Sequence, residues 1–164
     1  MRGICTGFQA LIKLGLVPYG DNIDTDEKSP TLTFNTIGRH QSRIVRTRVA
    51  STMSPWFSEC ECGEVYNVPI SHGEGRFYAS EELIKKLAAN GQIATQYADL
   101  GGNPTMDIWH NPNGSVLAVE GITSPDGRVL GKMGHSERWS EGLYKNVPGN
   151  YDMGLFRSAV KYFK

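Results

Sequence analysis

Gly3-Ile4-Cys5-Thr6-Gly7-Phe8-Gln9 decides how this 164-residue chain is read. Two glycines bracket a cysteine in a G-x-C-x-G pattern. It is the thiol counterpart of the G-x-S-x-G elbow, in which a strained strand-to-helix turn lifts a nucleophile clear of the backbone. Glycine suits both flanks, because the turn needs unusual backbone angles and a Cβ on either side is expected to meet the neighbouring strand or helix. Phe8-Gln9-Ala10-Leu11-Ile12-Lys13-Leu14 is rich in helix formers and stops at Gly15, as a helix fed by an elbow should. A helix that starts at Cys5 brings amide donors and the positive end of its dipole to the sulfur, which favours the thiolate. A Gly-rich turn holding a buried structural cysteine fits the same seven residues equally well.

The far end of the chain tips that balance. Gly134-His135-Ser136-Glu137-Arg138 offers a base for a thiol and a carboxylate to orient the base. His135 and Glu137 are two residues apart, so in an extended segment both side chains leave the same side of the backbone. Chain order is then Cys, His, Glu.

Four stretches now stand together: the elbow with its helix, Ser71-His72-Gly73-Glu74-Gly75-Arg76, Asn111-Pro112-Asn113-Gly114-Ser115, and Gly134-His135-Ser136-Glu137-Arg138. In this order, and over nearly the whole chain, they resemble the class I glutamine amidotransferase domain of phosphoribosylformylglycinamidine synthase. The resemblance implies an α/β fold with a mostly parallel central sheet flanked by helices, flavodoxin-like. It also implies hydrolysis of glutamine to glutamate and ammonia, with the ammonia passed to an ATP-using synthetase domain or subunit in purine biosynthesis. Cys5, His135 and Glu137 correspond to the catalytic residues. Thr6, Gln9, His72, Gly73 and Glu74 correspond to the substrate-binding ones, with Gln9 bordering the substrate amide and the Thr6 amide forming half of the oxyanion hole. The family often has Pro where Ser136 stands, so a less rigid turn is expected there. No cofactor is expected in this chain; ATP and Mg belong to the synthetase partner.

Only Met1 and Arg2 precede Gly3, whereas an elbow needs a strand before it. The family domain has earlier strands, including a loop that supplies the other oxyanion donor. Residues 1–164 are therefore expected to form a single domain, the C-terminal part of an amidotransferase domain lacking its first strands. A lost oxyanion donor costs a hundredfold or so in rate. The isolated fragment is expected to be a poor glutaminase.

Composition is compatible with this and excludes other classes. At 39% hydrophobic and 21% charged residues, the chain is ordinary for a globular domain able to bury a core. Seventeen basic residues balance seventeen acidic ones, which argues against a general nucleic-acid binder. No apolar run is long enough for a membrane span, and the first residues do not read as a leader. Three cysteines sit poorly with a secreted disulfide framework and point to the cytoplasm.

Between the two ends, Val17 to Pro30 reads as loop, with an acidic Asp24-Asp26-Glu27 cluster at its surface. Thr31 to Asn35 and Arg43 to Val49 read as strands; an exposed edge is the default for the arginines at 43, 46 and 48. Cys60-Glu61-Cys62 has no second ligand pair and reads as two reduced thiols rather than a zinc site. Glu64 to Ile70 is a strand that delivers Ser71 to Arg76 as a loop, with glycines allowing close backbone approach to a ligand. His72 lacks a neighbouring carboxylate, so His135 is the preferred base. Ser80 caps a helix that ends at Gly91. Ile93 to Tyr97 and Val116 to Val119 read as strands, and Asn111 to Ser115 as a simple tight turn. Arg128 to Met133 is the strand that carries His135. In the tail, Leu155, Phe156, Ala159, Val160 and Phe163 fall on one helical face and are expected to pack on the core.

Two rival readings remain at this level. One is a peptidase-type Cys-His-Glu hydrolase that ignores glutamine. The other is a non-catalytic piece acting only within a larger assembly. Labelling of Cys5 by a glutamine-analogue electrophile separates both from the amidotransferase.

Overall fold

The computed structural model describes residues 1–164. Eight strands and three helices follow one another as β1 (Arg2–Ile4), α1 (Thr6–Lys13), β2 (Thr31–Phe34), β3 (Gln41–Val49), β4 (Val65–His72), β5 (Glu74–Tyr78), α2 (Glu81–Ala89), β6 (Ile93–Tyr97), β7 (Val119–Thr123), β8 (Leu130–Lys132) and α3 (Leu155–Phe163). Six strands form one sheet in the order β1-β8-β7-β6-β3-β4, and β2 pairs with β5 in a separate ribbon.

The α/β class holds, but the strand directions differ from a mostly parallel sheet. Only β1 and β8 run parallel, with Ile4 opposite Lys132; every other pairing in the large sheet is antiparallel. The connections explain this. Parallel neighbours need a crossover of a dozen residues or more, usually a helix. Here β7 and β8 are joined by a tight turn, in which the Ser124 amide donates to the Val129 carbonyl and the Gly127 amide to Ser124. Such a turn leaves only the antiparallel option.

α1 buries Phe8, Leu11 and Ile12 against the sheet, together with Leu32 and Phe77 of the ribbon and Ile84 and Leu87 of α2. Burial of side chains of this size contributes roughly 1.5–3 kcal/mol each. Phe8 lies so close to Gly131 of β8 that a Cβ there would fall inside its ring. The close fit ties the elbow helix to the strand that precedes His135. Ser80 caps α2 as expected, its hydroxyl accepting from the Leu83 amide.

Three further expectations fail locally. Val116 to Ala118 is a 3-10 turn, not a strand, with Leu117 and Ala118 at φ 49° and 55°, and β7 starts only at Val119. The cause lies in Asn111-Pro112-Asn113-Gly114-Ser115, which is more than a simple turn. Its buried side chains hold β5: Asn113 donates to the Gly75 carbonyl and to the Tyr97 hydroxyl, and the Phe77 amide donates to Ser115. The chain leaving that network is bent before it can straighten. In the tail, α3 buries Leu155 and Ser158 while Phe156, Val160 and Phe163 stay exposed. Ser158 is drawn inward because its hydroxyl accepts the Glu59 amide. No helix is long and apolar enough to cross a membrane.

Candidate active site

Cys5 sits between β1 and α1 at φ 53°, ψ −110°, a left-handed conformation unusual for a residue with a side chain. Strain of this kind persists only where the surroundings enforce it. The Cys5 amide donates to Lys132, continuing the β1–β8 ladder by one rung, and the Gln9 amide donates back to the Cys5 carbonyl to open the helix. The sharp reversal between those two bonds turns the side chain outward.

The two flanking glycines do different jobs. A Cβ at Gly3 would lie 2.5 Å from the Gly7 carbonyl carbon and oxygen, so β1 and α1 touch there as the elbow pattern requires. A Cβ at Gly7 meets nothing within 4 Å, so the expected collision on that side is absent. Gly7 already belongs to the helix, past the crowded part of the turn.

One strand reaches both ends of the site. At β4, the Ser71 carbonyl accepts from the Cys5 sulfur at 3.6 Å, and the Pro69 carbonyl accepts the His135 amide at 2.8 Å. β4 and β1 are opposite edges of the large sheet, so the sheet curls to bring them together. Carbonyls two residues apart on one strand are separated by about 7 Å. Cys5 and His135 are thus referenced to the same short stretch of backbone, from chain positions far apart.

His135 Nδ1 lies 2.5 Å from Glu137 Oε1. The contact is made across a turn rather than along an extended segment, with the Arg138 amide donating to the His135 carbonyl. A carboxylate only accepts, so Nδ1 carries the proton and Nε2 holds a free lone pair in the neutral ring. That Nε2 is buried and has no partner within the protein.

His72 makes an instructive contrast. Its Nδ1 faces Asn35 Oδ1 at 3.1 Å, and the Asn35 amide nitrogen donates to the His72 and Arg39 carbonyls, which fixes the oxygen toward the ring. Burial holds the His72 pKa down to about 4, with the nearby His40 and His135 opposing its charge and Glu120 favouring it. The segment from Ser71 to Arg76 is no loop. β4 runs to His72 and β5 begins at Glu74, with Gly73 alone between them. Gly75 is occupied from within, since a Cβ there would lie 2.5 Å from His72 Nδ1. Only Gly73 has the open space that close backbone approach needs.

A cleft of about 340 Å³ is lined by Cys5, Thr6, Gln9, Ser71, His72, Gly73 and Glu74. All the residues singled out around the elbow and the β4–β5 junction therefore share one wall. Gln9 bridges its two halves, donating from Nε2 to the Glu74 carbonyl at 2.6 Å. Thr6 is the first helical residue, so its amide is among the donors that α1 leaves without an internal partner. His135 stands outside that wall, buried. A second cleft of about 310 Å³ borders Glu137 from the side of Asp152 to Arg157 and does not reach Cys5.

Reading the sequence missed Ser71 and Pro69, which act through backbone carbonyls and leave no side-chain signal. It also missed Glu120 and Lys132, whose signal was visible: each is a charge in an otherwise apolar run, Ala118-Val119-Glu120-Gly121-Ile122 and Val129-Leu130-Gly131-Lys132-Met133. Arg43 and Arg46 do more than stand on the exposed edge that their sequence suggests. They donate to the carbonyls of Trp109 and Leu100 and so carry the 99–110 segment.

A cysteine elbow at the end of a strand, with a histidine–carboxylate pair at the end of its parallel neighbour, defines a class of α/β domain built around a thiol. Within that class the chain belongs to the family of CobB/CobQ-like glutamine amidotransferase domains, whose model matches residues 1–163. The subunit PurQ of phosphoribosylformylglycinamidine synthase from Chlorobaculum tepidum is 39% identical over 147 residues, 90% of this chain and 57% of that relative. The structure of PurLQS from Thermotoga maritima matches with a TM-score of 0.72 at 26% identity, covering 99% of this chain and 61% of that one. This chain spans somewhat over half the length of both. The family sets it with amidotransferases rather than with peptidase-type hydrolases.

Proposed function

We propose that this chain carries the thiol site of the glutamine-hydrolysing part of a phosphoribosylformylglycinamidine synthase. The observation that supports it most is the common reference of Cys5 and His135 to the Ser71 and Pro69 carbonyls on β4. In this reading Cys5 and His135 form the nucleophile–base pair and Glu137 orients the base. Glutamine occupies the cleft beside Thr6, Gln9, His72, Gly73 and Glu74.

His135 Nε2 takes the proton of the Cys5 thiol. The sulfur attacks the side-chain carboxamide carbon, and the oxygen that gains charge is met by the Thr6 amide. Collapse of the tetrahedral adduct breaks the C–N bond. The imidazolium gives its proton to the departing nitrogen, leaving ammonia and a glutamyl thioester. A water then gives a proton to Nε2 and its oxygen to the acyl carbon; the C–S bond breaks, glutamate leaves, and the imidazolium returns its proton to the sulfur. The Nδ1–H bond to Glu137 holds the tautomer that both proton transfers need. The ammonia is consumed by an ATP-using synthetase partner, as the family resemblance implies. Residues 1–164 form one domain in this reading, and the protein works in the cytoplasm.

The test uses 6-diazo-5-oxo-L-norleucine, a glutamine-analogue electrophile, on the full-length protein. The expected result is stoichiometric labelling at Cys5, with glutamate release from glutamine abolished in Cys5→Ser. Labelling only at Cys60 or Cys62, or glutamate release that survives Cys5→Ser, would overturn it.

A further inference from the structure

A fully buried ion pair lies directly under the turn that carries His135. Lys132 Nζ and Glu120 Oε1 are 3.3 Å apart and neither side chain reaches solvent. The ammonium also donates to the Gly134 carbonyl at 3.1 Å and to the Ser136 hydroxyl at 3.0 Å. The carboxylate is equally committed. Oε1 accepts the Gly134 amide at 2.5 Å, and Oε2 accepts the Thr95 hydroxyl. Both backbone polar groups of Gly134 are thus held by the pair, and Ser136 is held by the lysine. His135 is the one residue between them.

Such a pair is a poor way to gain stability. Taking two charges out of water costs several kcal/mol each, and well-packed apolar residues of the same volume often serve as well or better. What the pair supplies is direction. Each of its bonds has a narrow range of length and angle, so together they locate the turn to a fraction of an ångström. The fit is closed sterically as well, since a Cβ at Gly134 would lie 2.5 Å from Val68 Cγ1 and 2.9 Å from Glu120 Oε1. The Ser136 hydroxyl is one of the anchor points of the turn.

We propose that Glu120 and Lys132 are positioning residues that set where His135 Nε2 stands relative to the Cys5 sulfur. The proposal rests on the thiol-site reading given above. Neither side chain lines the cleft, so the pair acts on the chemical step and leaves glutamine binding alone. A misplacement of about 1 Å in such a site costs on the order of a hundredfold in rate.

The test measures glutamine hydrolysis by the full-length protein assembled with its synthetase, normalised to the sites titrated by 6-diazo-5-oxo-L-norleucine. Loss of folded protein lowers the number of sites and leaves kcat per site unchanged, whereas loss of positioning lowers kcat itself. In Glu120→Gln/Lys132→Met, which removes both charges together, kcat per site is expected to fall about 10- to 100-fold with KM for glutamine within twofold. Ser136→Ala is expected to lower kcat several-fold, and Ser136→Thr, which keeps the hydroxyl, to restore it. If the double variant gives no titratable sites, the two Ser136 variants decide on the same criterion. A kcat per site within twofold of the unaltered protein, in the double variant or in Ser136→Ala, overturns the positioning role while the thiol site stands. A His135→Ala variant with undiminished kcat overturns both.

Discussion

Two buried histidines are tied to β4, one within the strand and one through its backbone amide, and they are held in opposite ways. His72, at the junction of β4 and β5, is backed by the amide oxygen of Asn35; His135, after β8, is backed by the carboxylate of Glu137. Each donates from Nδ1 and leaves a buried Nε2 without a partner, so geometry alone makes them look alike. The partner distinguishes them. A carboxylate stabilises the imidazolium that a base must pass through, whereas a neutral amide does not. Burial against Asn35 keeps His72 neutral, with a pKa of about 4. A ring so held can shape a pocket and accept a hydrogen bond, but it is a poor store for a proton near neutral pH.

The sharpest way to break this contrast is to remove the rings in turn. His135→Ala is expected to lower kcat for glutamine hydrolysis by about 10²–10⁴-fold, the usual range for a lost general base. His72→Ala is expected to act mainly on KM, because His72 lines the cleft. Steady-state kinetics on both variants check this, and equal losses in kcat would erase the distinction.

The next effect is in stability against pH. His72 has a folded pKa below the ordinary value of 6.5, so the unfolded chain takes up the proton first. The stability contributed by the neutral ring is therefore complete above pH 6.5 and drains as the pH falls toward about 4. At about 1.4 kcal/mol per pH unit this window is worth roughly 3 kcal/mol. Urea unfolding from pH 7 to pH 4 is expected to show a shallower acid loss in His72→Gln than in the unaltered chain. Parallel curves would mean that the ring is protonated freely in the folded state.

The smallest effect concerns the support of His72. Gly75→Ala puts a methyl 2.5 Å from the His72 ring. It is expected to cost about 1–3 kcal/mol, the usual range for overpacking, read as a lowered thermal midpoint. A Gly73→Ala control meets no atom within 4 Å and is expected to cost much less.

How much of this was legible in the sequence depends on the range of the interaction. The elbow, the capped helix α2 and strand β8 were readable because neighbouring residues decide them. The His135–Glu137 contact was readable as a pair, though it forms across a turn. Strand direction was not, because it depends on which distant strand each segment meets. Val116 to Ala118 reads as a strand from its side chains. It is bent by an Asn111–Ser115 network whose partners lie on β5, some 40 residues earlier. The tail misled for the opposite reason: an apolar face at helical spacing was present, but Ser158, with a backbone amide to satisfy, faces inward instead. Lys132 and Glu120 carried a signal that apolar patterning discards, since a charge in a buried strand reads as noise until its counterpart is placed beside it.

The parallel pairing of β1 with β8 joins the segments most distant in sequence within the large sheet, Arg2 facing Leu130. The amino group of Met1 donates to the carbonyl of Arg128, a link that spans 127 residues. Cys5 is thereby brought beside the strand that leads to His135, and this pairing forms only when a loop of that length has closed. Closing so long a loop is slow, so the pairing of β1 with β8 is expected among the late events of folding.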